Sequence, residues 1–187
     1  MRKSFPLIAV GILTSRLLLR RFAQTDLPAL AHLFADAAVQ EYLAVGLMGP
    51  KGARAFAETF IRASDDEWRE GGCGVMAMVL RGSGDGAGNA TLVGYCGLRH
   101  LPDRISAMEV VYALHQDRWG QGLATEAARA VLDWGFETLP VREIKAFTRP
   151  PHAASRRVME KAGMEFQGET DRYYGEMLAV YSVTRPV

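Results

Sequence analysis

Apolar and polar positions alternate along this chain in two rhythms, one suited to strands and one to helices. Residues 17–22, LLLRRF, form a short apolar run that predicts a strand. The segment DLPALAHLFADAAVQEYL predicts one helix. Thr25 or Asp26 can cap it, Pro28 stands in its first turn, and Leu27, Leu30, Ala31, Phe34 and Ala38 recur at helical spacing. The stretch 46–52 breaks that rhythm. ARAFAETFIRASDDEWREGG then predicts a second helix, with Phe56, Phe60 and Ile61 on one side and Gly71 and Gly72 at its end.

Residues 73–81, 92–101 and 107–115 predict three consecutive strands. They are joined by the glycine-rich GSGDGAGNAT and by PDR, links too short for a parallel return, so the pairing is antiparallel. A hairpin centred near Gly86 sets Cys73 near His100 and Cys96 near Ala77. A helix over 123–138 follows, with Ala127, Val131, Trp134 and Phe136 available for packing and Pro140 ending it. Residues 143–149 predict a strand reached by a helical crossover, hence parallel to its predecessor. PPHAASRRVMEKAGM predicts another helix, stopped at Gly163, and the remainder a closing hairpin turned near Gly175. The order gives an α/β fold, more closely an α+β mixed sheet. It is mainly antiparallel with one parallel pair, and helices cover both faces. No internal repeat or linker interrupts residues 15–187, which read as a single domain.

Residues 1–14 carry Arg2 and Lys3 before a short apolar run, the outline of a signal peptide. Pro6 breaks that run early and charged SRLLLRRF follows at once. An N-terminal extension, partly extended and packed on the domain, is the favoured reading. No run approaches the ~20 apolar residues of a membrane span. The formal net charge of +1, without a block of like charge, offers no nucleic-acid surface. In the predicted register the two cysteines stand too far apart to bridge, so reduced thiols and a cytoplasmic location are expected. His32 and His100 lack companions at metal-ligand spacing, and Cys73 and Cys96 are no CxxC pair, so no metal is expected. Core positions are expected for Met76, Met78 and the tryptophans.

The chemistry concentrates in DRWGQGLATEAA, residues 117–128, where a strand hands over to a helix. A helix start leaves main-chain N–H groups without partners and carries partial positive charge, so it suits an anion. Gly120 and Gly122 let such an anion approach bare backbone, and Ala124 is small. A tight turn or helix cap is the plainer reading. A P-loop fails because Leu123, not lysine, follows Gly122. A dinucleotide fingerprint fits poorly: Thr125 takes the third glycine position, and Glu143 opens the next strand where an acid would end it. A third scheme is the pyrophosphate loop of an acyl-CoA-dependent N-acetyltransferase.

VYALHQDRWGQGLATEAARAVLDWGF resembles the acetyl-CoA segment of the GNAT superfamily, in particular its ribosomal-protein N-terminal (RimJ/RimL-like) branch. The family motif, Gln/Arg-x-x-Gly-x-Gly/Ala, falls on Trp119, Gly122 and Ala124, with Trp in place of the usual first residue. RPPHAASRRVMEKAGMEFQGE resembles the branch's second block, with His152 where Asn is usual and Met164 where Phe is usual. TSRLLLRRF resembles its opening strand. The likeness runs from about Thr14 to the C-terminus.

The resemblance implies acetyl-CoA as cosubstrate. The main chain of Trp119, Gly120, Gln121, Gly122, Leu123, Ala124 and Thr125 would hold its pyrophosphate, with Arg118, Arg156 and Arg157 as possible phosphate partners. The strand 109–114 would run beside the pantetheine, parted from the next strand at a bulge. Glu109 is the implied base and Val111 or Tyr112 the implied N–H donor to an oxyanion. Alternation puts Glu109, Val111 and Ala113 on one face and Val110, Tyr112 and Leu114 on the other; a solvent-exposed Glu109 is the plainer alternative. The family's usual tyrosine acid is Met159 here, so Ser155 is the expected proton donor to the thiolate, or else simply a first-turn serine. His152 is a cofactor contact or an exposed residue opening its helix. Tyr173 and Tyr174 either line the acceptor site or pack. Direct attack by a primary amine in a ternary complex is implied, on a protein N-terminus or on a polyamine, amino acid or aminoglycoside. A non-catalytic acyl-CoA-binding module is the alternative outside enzymology. Monomer and homodimer are both compatible.

Overall fold

The structure is a computed structural model that describes residues 7–8, 11–43, 47–82, 91–101 and 108–185. The predicted break at Gly46, the hairpin centre at Gly86, the PDR turn and the strand position Ala107 lie outside them.

The described residues form one sheet in the order β1-β2-β3-β4-β5-β6-β7-β9-β8. Its strands are β1 (Leu7–Ile8), β2 (Gly11–Leu13), β3 (Leu17–Arg20), β4 (Val75–Leu80), β5 (Leu92–His100), β6 (Met108–Leu114), β7 (Glu143–Thr148), β8 (Glu165–Thr170) and β9 (Leu178–Thr184). Every neighbouring pair is antiparallel except β6 and β7. The hairpin links and the helical crossover give that outcome for the reason expected: only a long connection returns a strand parallel.

The first predicted helix is two. α1 (Leu27–Ala35) and α2 (Ala37–Gln40) are separated by Asp36, whose backbone is extended at φ −72° and ψ 118°. The Asp36 carboxylate accepts the N–H of Ala38 at 2.9 Å, so a good N-cap residue interrupts a continuous apolar rhythm. α3 (Pro50–Gly71) stops at Gly72 as its sequence predicts, but it opens on Pro50, three residues before the expected start at Ala53, because proline suits a first helical position. α4 (Leu123–Thr138) ends where Leu139, restricted by Pro140, turns extended. α5 (Ala153–Lys161) completes the set.

The sheet divides the core in two. On one face Leu17, Leu19, Met78, Leu98 and Val110 pack against Leu123, Ala127, Val131 and Trp134 of α4 and Met159 of α5. On the other, Val75 and Tyr95 meet Leu30, Leu33 and Phe34 of α1 and Ala53, Ala57 and Ile61 of α3. Cys96 stands opposite Met76, one residue from the expected Ala77, and the register shifts between Met78 and Val79. Both cysteines are free and buried, and burial pushes the Cys73 thiol up to about 11. No helix among the described residues is long and apolar enough to cross a membrane.

Candidate active site

The turn between β6 and α4 is built on two left-handed glycines. Gly120 has φ +74° and Gly122, the residue capping α4, has φ +77°. A side chain at either would meet the steric penalty that makes this region glycine's own. Nothing lies within 4 Å of where a Cβ on Gly120 would stand, so the loop is open there. The Glu126 N–H is bonded to the Gly122 carbonyl at 3.0 Å; the N–H groups of Leu123, Ala124 and Thr125 precede it and point out of the helix start. The Trp119 indole N–H donates to the Leu114 carbonyl at 2.9 Å, yet its ring is 41% exposed. Trp119 is therefore not in the core, where the tryptophans are expected.

Glu126, which sequence reading passed over, holds the loop in place. Its carboxylate accepts from the Thr14 hydroxyl (2.6 Å), the Ser15 hydroxyl (2.9 Å), the Arg16 N–H (2.8 Å) and Arg16 Nε (2.7 Å). Arg16 Nη1 also donates to the Gln121 carbonyl at 2.9 Å. Burial alone would raise the Glu126 pKa, but these donors together draw it down to about 2. The partners are more than a hundred residues apart, so no local pattern marks them.

Beside the loop the sheet opens. β6 and β7 are paired only at Met108–Ile144 and Glu109–Lys145; beyond that β7 continues against β9 and β6 against β5. The β5–β6 register runs unbroken from His100–Met108 to Gly94–Leu114, so the strands part without the expected bulge. The edge of β6 from Val110 to Leu114 thus faces a gap. Side chains alternate as expected: Tyr112 packs with the α4 face, Val111 and Ala113 with the α1–α3 face.

Tyr112 and Ser155 meet on the α4–α5 side. The phenol lies 2.9 Å from Ser155 Oγ and 3.1 Å from the Ser155 carbonyl oxygen. Ser155 is buried in the first turn of α5, whose N-cap residue, His152, makes no side-chain capping hydrogen bond. His152, at the N-cap, stacks flat on Tyr42 at 3.6 Å and 14°; burial lowers its pKa. It is half-buried by that ring rather than simply exposed. Arg156 is drawn away to Tyr181 (3.0 Å) and lies over Phe166, while Arg118 pairs with Asp117 at 3.2 Å. Arg157 is exposed.

Glu109 sits where the parallel pair ends, and it is 5% exposed, not at the surface. Burial raises its pKa to about 7, against the hydrogen bond from Tyr174 and the charge of Arg99, which both lower it. The Tyr174 hydroxyl donates to Glu109 Oε2. Tyr174 occupies the β8–β9 turn with φ +64°, the one positive φ outside glycine among the described residues. The turn is anchored by Arg149, which pairs with Glu176 at 2.7 Å and donates to the Glu41 carbonyl. Tyr173 is buried, but Tyr174 is 41% exposed and borders an open cleft of about 510 Å³. Glu67, Glu70, Gly71, Arg99, His100 and Leu101 form the rest of its wall. That cleft adjoins Glu109, at the end of β6 remote from the glycine loop. Both tyrosines are acceptor-site candidates from the sequence, which carries no signal for the Glu109 contact.

The chain's own groups fit a coenzyme A donor. Outward N–H groups and an open glycine meet a diphosphate's need, and Glu126, the acid nearest the helix start, is already compensated by Arg16. The free edge of β6 suits the amides of an extended arm. Among the described residues no three His, Cys, Asp or Glu side chains form a group that could hold a metal.

The acetyltransferase (GNAT) domain model matches residues 16–165. The uncharacterized protein YkkB of Bacillus subtilis (strain 168) is 39% identical over 92 residues, a match spanning 48% of this chain and about half (52%) of that relative. The uncharacterized N-acetyltransferase p20 of Bacillus licheniformis is 23% identical over 171 residues, 90% of this chain and 91% of that one. The fold matches that of RimL, a ribosomal L7/L12 alpha-N-protein acetyltransferase solved with coenzyme A, at a TM-score of 0.74. That match covers 91% of this chain and 95% of the other at 16% identity, and so speaks for the fold alone. With the parted parallel strands and the glycine-opened helix in hand, the chain belongs to the GNAT family of acetyltransferases.

Proposed function

We propose that the protein moves the acetyl group of acetyl-CoA to a primary amine by direct attack in a ternary complex, with a protein N-terminal amine as the favoured acceptor. One observation carries the reading. The parallel strands part immediately after Glu109, and the gap lies between the glycine-opened start of α4 and an open cleft. Bound acetyl-CoA supplies a thioester acyl donor. The main chain of Trp119, Gly120, Gln121, Gly122, Leu123, Ala124 and Thr125 would hold its diphosphate, and the edge of β6 its pantetheine arm.

Three groups answer the three demands of acyl transfer to an amine. Glu109 accepts the ammonium proton. A main-chain N–H of Val111 or Tyr112 donates to the oxyanion. Ser155, hydrogen-bonded to Tyr112, gives its proton to the leaving thiolate, the role Met159 cannot fill. His152, stacked on Tyr42, borders the donor's path. The N-terminal acceptor is favoured by analogy with RimL, which is an alpha-N-protein acetyltransferase. The cleft beside Glu109, with Glu67 and Glu70 in its wall, suits a small polyamine, amino acid or aminoglycoside as well.

Free thiol released from acetyl-CoA, measured with free-N-terminus peptides, polyamines, amino acids and aminoglycosides, tests the reading. Turnover with peptides alone supports it. Turnover confined to small amines moves the acceptor, and tight acetyl-CoA binding without turnover on any amine overturns catalysis in favour of a binding module.

A further inference from the structure

Glu109 is buried and takes no part in the cleft wall, whereas Tyr174 does. An acceptor amine in the cleft therefore meets the phenol before the carboxylate. The phenol has one proton, already given to Glu109 Oε2, and two lone pairs that remain free to accept. The backbone holds this arrangement at a cost. An aromatic residue at φ +64° is strained, and strain of this kind persists only where the surroundings over-determine it. Here the buried Tyr173, the ring of Phe147 at 6.1 Å and the Arg149–Glu176 pair fix the turn.

We infer that Tyr174 is a proton relay, its oxygen taking a proton from the acceptor's ammonium while its own proton passes to Glu109 Oε2. The inference rests on the proposed reading of Glu109 as base. One ammonium N–H bond breaks and one phenol O–H forms; the original phenol O–H breaks and a carboxyl O–H forms. Ammonium and carboxylate become neutral amine and carboxylic acid, and the phenol is unchanged. Burial and the neighbouring Glu109 hold the phenol's pKa well above its ordinary value, so Tyr174 passes protons on without itself becoming a phenolate base. The charged or titratable neighbours that bear on Glu109 are Arg99 and Tyr95 of β5, Glu67 of α3 and Lys145, its register partner on β7.

The test compares wild type, Tyr174→Phe, Tyr174→Asn and Glu109→Gln as full-length proteins, with acetyl-CoA and a free-N-terminus peptide. Asn tolerates a left-handed backbone, so Tyr174→Asn removes the phenol without risking the turn. The relay predicts a kcat about 10²-fold lower in both Tyr174 variants with the KM for acetyl-CoA unchanged. It predicts a proton inventory in mixed H₂O–D₂O that is curved for wild type and linear for Tyr174→Phe. Infrared titration of the Glu109 carboxyl, without substrate, shows its midpoint rising in Tyr174→Phe. Wild-type kcat in both Tyr174 variants overturns the relay and leaves the base. A lowered kcat with a linear inventory already in wild type overturns it too, making Tyr174 a positioning residue. Wild-type activity in Glu109→Gln instead removes the base on which the inference depends.

Discussion

A single carboxyl, Glu109, sets the pH behaviour expected of the site. Its pKa in the fold, about 7, lies above the ordinary 4.5 because burial disfavours the charged form. A base must be ionised, so kcat/KM should rise with pH through about 7. Glu109→Gln should lower kcat/KM about 10²- to 10³-fold and abolish that limb, as pH–rate profiles of both proteins will show. The same shift acts on stability. The contribution of protonated Glu109 is intact below about 4.5 and is lost as pH rises through about 7. Strand alternation in the sequence puts Glu109 on the face it occupies. Its burial and its Tyr174 partner are invisible there, because the two residues are 65 positions apart and meet only when the last hairpin folds over β6.

Among the elements, the start of α4 combines two requirements. Gly122 has φ +77°, so Gly122→Ala should cost about 1 kcal/mol and raise the KM for acetyl-CoA. Paired denaturation and saturation curves will check both. Glu126 should matter differently. Its four donors tie β2 and β3 to the helix, and Glu126→Ala should cost about 2 kcal/mol, a fall in Tm of roughly 4–8 °C. With a folded pKa near 2, below the ordinary 4.5, its contribution is present above about 4.5 and disappears as pH falls towards 2. Thermal melts at pH 7 and pH 3 should therefore separate wild type from Glu126→Ala at the higher pH and bring them closer at the lower. The glycine turn is legible because its residue types are dictated by backbone conformation. The break at Asp36 is not, because apolar spacing continues across it and only the cap to Ala38 reveals it. The missing bulge in β6 is likewise a matter of register, which residue types along one strand do not record.

At the scale of the molecule, strand and helix order was legible almost throughout, since short links and one helical crossover leave few ways to build the sheet. The candidate site was legible only on its proposed donor side, where local motifs carry it. The proposed acceptor side is assembled from α3, β5 and the β8–β9 turn, segments with no shared local pattern. Thermal unfolding of the full chain against increasing acetyl-CoA tests the proposed donor side most directly. Binding at the α4 start predicts a Tm that climbs with the logarithm of ligand concentration, gaining roughly 5–10 °C at about a hundredfold excess over Kd. The same titration of Gly122→Ala should need a higher concentration for the same gain. A Tm that stays level up to millimolar acetyl-CoA would contradict a coenzyme A site here and leave Gly120 and Gly122 as a bend.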